Sequence, residues 1–228
     1  MRIVTLLGWT LSISALAAMV TGHLGDHGLD WRLNQISTYA ASAPFDELVT
    51  AAMLASAAAV ASVGCLATRE EIIDAKPWNH LAPLLAGAAA AGLVMLAFYE
   101  ESAANPAILE QSDFRTVRQQ SFHDAGLQIF FFGSLLLVAL LGVLIVLCDR
   151  TPGGKILGAL ILMTAPGALF LMTMPWTHAL GLAGAQAGLQ QRAALFCLWL
   201  ALVLFLSLAT WRAARQPSAR AAPFSFEP

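Results

Sequence analysis

Six stretches of this chain, residues 3–22, 48–67, 81–98, 125–147, 156–176 and 193–211, contain no charged side chain at all. Each is 18–23 residues long, which at about 1.5 Å per residue matches the hydrocarbon core of a bilayer. A charge at the bilayer centre costs about 2.5–3.5 kcal/mol on insertion scales, so membrane-spanning segments keep such windows clear. The windows are too long and too continuous for barrel strands, which alternate apolar and polar positions over about ten residues. They predict an all-α fold, a polytopic six-helix transmembrane bundle forming one domain over 1–216. A short, Pro-rich disordered tail follows at 217–228. Six buried helices of a water-soluble protein would leave no amphipathic helix to face water.

Composition closes the other classes. The chain is 58% hydrophobic and 11% charged, against about 25% charged in a soluble domain. A disordered chain needs low hydrophobicity, and a nucleic-acid binder needs a basic surplus that a net charge of −2 does not supply. The partner implied is the lipid bilayer, not nucleic acid. Three cysteines, Cys65, Cys148 and Cys197, with no CxxC spacing, make neither a disulfide framework nor a thiolate metal site.

Orientation follows from Lys and Arg. The first residues, the 68–80 and 148–155 loops and the tail hold 8 of the 12 basic residues. The loops 23–47, 99–124 and 177–192 hold the other 4, although they are longer in sum. The positive-inside rule places both termini in the cytoplasm of a bacterial or archaeal cell (inner) membrane. Arg2 followed by an apolar run to Ala15-Leu16-Ala17 also resembles a signal peptide, but the run continues to Val20. It is read as the first span.

Small residues crowd helices 2 and 3, which are expected at the tight centre of the bundle. Helices 4 and 6 are bulkier and are expected to face lipid, or equally a companion membrane subunit or a second copy. Pro166 is expected to kink helix 5. Short amphipathic helices are expected in the outer loops, one around Leu29–Ala40 and one over 108–122, the latter with Ser112 or Asp113 as its N-cap. Trp78, Trp176 and Trp211 suit an aromatic belt, whereas Trp9 and Trp199 lie deeper and are read as packing residues.

The outer segments carry 9 of the 14 acidic residues and 4 of the 5 histidines. His23, His27, His123 and His178 all sit near outer helix ends, where a folded bundle can bring several together. His23 and His27 are four apart and share a face if helix 1 extends that far, which is a ligand geometry for zinc. Asp26, Asp124 and Glu100 are candidates for a catalytic base beside such a metal. Against this stands a plain structural network, in which the outer His and Asp residues cap backbone groups, meet water or pair with Arg192, Arg32, Arg115 or Arg118, with Ser37 and Tyr39 counted in the same network. One haem held by two of the histidines is a third alternative. Zinc or a single haem fits these readings, and neither is required. The spans hold no ionisable acid or base, so an ion path at mid-membrane is poorly supported.

Six spans, Ser37-x-Tyr39-Ala40 in the first outer loop, His123-Asp124-Ala125-Gly126 and Gly188-Leu189-Gln190-Gln191-Arg192 together resemble the prokaryotic membrane family catalogued as domain-of-unknown-function 998. Members usually carry an aromatic-Pro-Xaa-Asp element after helix 3, where this chain reads Phe98-Tyr99-Glu100-Glu101. The resemblance implies a six-helix fold with an outer polar face and no established activity. Three functions stay open at this point: an accessory or structural membrane protein, a membrane-embedded metal-dependent hydrolase acting on a lipid-like substrate, and a single-haem redox or quinone-handling subunit.

Overall fold

The structure is a computed structural model that describes residues 2–24, 46–69, 72, 73, 75, 78–99, 114–173 and 187–215. These form six α-helices, α1 (Arg2–Leu24), α2 (Asp46–Ala67), α3 (Leu81–Phe98), α4 (Phe114–Cys148), α5 (Pro152–Thr173) and α6 (Ala187–Arg215), with a 3-10 turn at Trp78–His80 before α3. All six are long and apolar enough to cross a membrane, so the chain is a multi-pass membrane protein. The outer-loop helices expected from the sequence fall largely outside the described residues. The one expected up to residue 122 is no separate element where it is described, because α4 runs unbroken from Phe114. α5 likewise continues through Pro166.

Each helix packs against the next in sequence, and α6 returns to α1, closing a ring. The closure lies at the end that carries both termini. There the Trp9 indole N–H donates to Thr210 Oγ1 at 3.0 Å, and Gly8 leaves room for Leu206. Ile72 and Ile73, 0% and 2% exposed, fold under this end from the α2–α3 connection and join Ile145 and Leu206 in an apolar floor.

Packing overturns the expected ranking of the helices. In its most apolar window α4 is 61% buried, against 22% for α1 and 28% for α5. Bulk does not keep α4 in lipid, because it carries glycines on two faces. A Cβ on Gly126 would lie 2.8 Å from Met95 Cβ of α3, and one on Gly142 would lie 2.7 Å from Leu162 Cα of α5. Nothing larger than hydrogen fits at either crossing. Within a bilayer there is no water to expel between helices, so such close backbone approach supplies the association energy.

Candidate functional site

The ring of helices encloses a cavity of about 530 Å³, within the range of about 300–1,000 Å³ usual for small-molecule sites. All six helices contribute to its wall. On α4 the lining runs from Leu127 to Leu141, and on α6 from Gln191 to Phe205. Fourteen residues at 1.5 Å each make it about 21 Å long. It begins at the end away from the termini and stops on Leu141, Ile161 and Phe205, above the apolar floor.

The lining is almost wholly apolar, and its few polar groups are ordered by depth. Gln191 and Arg192, in the first turns of α6, line the end of the cavity away from the termini. Ser12, Ser56, Ser134 and Trp199 lie deeper. The Ser12 and Ser56 hydroxyls donate to Gly8 O and Ala52 O of their own helices, at 2.7 and 2.8 Å. Ser134 Oγ and Trp199 Nε1 are buried and have no hydrogen-bond partner among the described residues. Beyond the latch at Trp9, the facing sides of α1 and α6 carry Leu16, Val20 and Phe196, which line the cavity and yet are 39%, 47% and 56% exposed. The wall is therefore thin or open along that side.

Of the residues singled out in the sequence, the structure brings Arg192 to the cavity wall and places His123 in a different role. His123 is 2% exposed, and its Nδ1 lies 2.7 Å from Tyr99 O, directly after α3. With a proton on Nδ1 the ring donates to a carbonyl that the end of the helix leaves in need of a partner. The Tyr99 ring stacks on Phe122 at 4.9 Å, so the same contact pins α3 to α4. Asp124 is exposed on the next position of α4. His23 and Arg118 fall on α1 and α4, with side chains outside what the structure describes. Asp26, His27, Arg32, Ser37, Tyr39, Glu100 and His178 lie outside the described residues. Among the described residues no three His, Cys, Asp or Glu side chains converge on a common point.

Two features escaped the sequence reading. Trp199, taken as a packing residue, contributes to the cavity wall, with its N–H buried and without a partner among the described residues. Asp149, counted only as a loop charge, is 8% exposed and ion-paired with Arg212 of α6. Its Oδ1 accepts the Thr151 backbone N–H at 2.8 Å and the Thr151 hydroxyl at 2.9 Å. Thr151 Oγ1 in turn accepts the Gly154 N–H at 3.1 Å, capping α5, with Pro152 in its first turn. Burial alone would raise the Asp149 carboxyl, but the Thr151 N–H and hydroxyl and the Arg212 guanidinium outweigh it and hold the group below the usual carboxylate range. The clamp ties the α4–α5 turn to α6 beneath the cavity.

Comparison with protein-family models, with curated proteins and with solved structures found no match to this chain.

Proposed function

We propose that this protein binds a lipid-like amphiphile, with an anionic head at Gln191 and Arg192 and an apolar chain in the cavity below. The observation that carries this reading is the cavity: about 530 Å³ of apolar space inside a membrane protein, with Arg192 among the residues that line its end away from the termini. An apolar void of that length suits a hydrocarbon chain, and an arginine near the membrane surface suits a phosphate or carboxylate, which it can hold through two parallel hydrogen bonds. With both termini in the cytoplasm of a cell (inner) membrane, as the Lys and Arg bias favours, the Arg192 end of the cavity lies in the outer leaflet. Binding without turnover agrees with the accessory role that the sequence favours. Membership of the domain-of-unknown-function 998 family, proposed from the short motifs alone, agrees with the six-helix fold and leaves the activity open.

The test is native mass spectrometry of the full chain in mild detergent, after exposure to phosphatidylglycerol or phosphatidylcholine. One phosphatidylglycerol per chain is expected, in preference to phosphatidylcholine. Ala201→Phe, which fills the cavity from a wall position 2% exposed, should lower occupancy about tenfold, roughly the effect of about 1.4 kcal/mol. Equal retention of both lipids, with Ala201→Phe without effect, would exclude the reading.

A further inference from the structure

We infer that the cavity is entered sideways, through the seam between α1 and α6 in the half of the bundle away from the termini, by an acyl chain of a lipid in the adjoining leaflet. This rests on the reading above and adds the route by which its ligand arrives.

The seam is the weakest joint of the ring. Of the six pairings between neighbouring helices, α1 with α6 is the least closely packed. α1 is also the least buried span, at 22%. The bond from Trp9 to Thr210 and the close approach of Gly8 to Leu206 hold the seam at the end that carries the termini. Leu16 and Val20 lie seven and eleven residues along α1 from Trp9, about 10 and 16 Å beyond that latch. Phe196 lies fourteen residues before Thr210 on the antiparallel α6, about 21 Å beyond it.

The cavity lining changes character toward this seam. On the inner faces of the two helices Ser12, Ala15, Leu198 and Ala201 line the cavity and are buried. Leu16, Val20 and Phe196 line the same cavity and are more than a third exposed. Among the described residues no lining side chain of α2, α3, α4 or α5 is exposed in this way. A cavity whose exposed lining lies on two adjacent helices opens between them.

The opening faces hydrocarbon. Leu16 and Val20 fall in the charge-free window 3–22, and Phe196 in the window 193–211, so both edges lie at a depth where acyl chains replace water. Phe196 comes four residues after Arg192, about one helical turn. A head group held at Arg192 therefore leaves its chain beside the opening. Transfer of that chain from bilayer to cavity expels no water. The gain is in van der Waals contacts that the lining otherwise lacks.

The experiment measures exchange of bound lipid in the folded full chain. Protein loaded with deuterated phosphatidylglycerol in mild detergent is challenged with the unlabelled lipid, and native mass spectrometry follows the mass shift with time. Exchange rate is the readout, because narrowing a portal slows entry and exit together. Leu16→Trp combined with Val20→Trp should slow exchange about tenfold, and Phe196→Ala should speed it about threefold. Ile13→Trp, on an exposed position of α1 that does not line the cavity, should stay within about twofold of wild type. Exchange unchanged in both portal variants, or slowed as much by Ile13→Trp, overturns the lateral route while leaving lipid binding intact. So does a wild type that keeps its labelled lipid throughout the challenge. If the double Trp variant retains no lipid, Phe196→Ala decides, and a rate equal to wild type overturns the route. Failure of the wild type to retain phosphatidylglycerol at all overturns the underlying reading as well.

Discussion

Replacing Asp149 with Ala removes the anion that joins the α4–α5 turn to α6. Three donors lose their acceptor: the Thr151 N–H, the Thr151 hydroxyl and the Arg212 guanidinium. Breaking a buried ion pair by deleting one partner costs about 3–5 kcal/mol. The Arg212 side chain is 18% exposed, so water recovers part of that loss, and we expect about 3 kcal/mol. Asp149→Asn keeps an oxygen for Thr151 and loses the charge, so about half that cost is expected. The assay is reversible unfolding of the purified chain in mixed micelles with a rising fraction of dodecyl sulfate. A double-mutant cycle with Arg212→Ala isolates the pair, and a coupling of about 1–3 kcal/mol is expected. The carboxyl is depressed in the folded state, so its contribution is complete above about pH 4, the ordinary aspartate value, and is lost as pH falls through the lower folded value. The gap between wild type and Asp149→Ala should therefore close in strong acid. A variant within about 0.5 kcal/mol of wild type at pH 7, or a gap that widens on acidification, would refute the reasoning.

His123→Ala leaves the Tyr99 carbonyl without its donor and should cost about 1–3 kcal/mol in the same unfolding assay, with His123→Asn recovering part of it; an unchanged midpoint would deny the contact a structural role. A cysteine introduced at Ser102 should react with an impermeant maleimide added outside intact cells, because the loop that holds it is basic-poor; labelling only after lysis would reverse the proposed orientation.

The six helices were legible because the bilayer excludes charge, and that exclusion is written directly into the sequence. Their ends were less so. α4 begins at Phe114 and α6 reaches Arg215, because a helix can continue past the hydrocarbon core, where a charged residue no longer carries the cost it has at the bilayer centre. The burial of α4 was misjudged by counting Phe and Leu. The usable signal was Gly126 and Gly142, sixteen residues apart and so on different faces of a helix at about 3.6 residues per turn. Arg192 was visible as a solitary cation leading into the last span. The cavity it overlooks was not, since a void arises from how six helices meet, and no one helix encodes it. Ser134 was visible as a polar residue, but only the bundle distinguishes it from the serines that bond to their own helices.

The latch between Trp9 and Thr210 joins residues 201 positions apart, whereas every other major helix contact is between neighbours in sequence. During synthesis from the N-terminus each hairpin can therefore dock as soon as it enters the membrane. The ring itself stays open until α6 has emerged. Through most of assembly the future cavity is a groove continuous with the surrounding membrane, so the first occupant can be acquired by enclosure as the protein is made, with no later entry required.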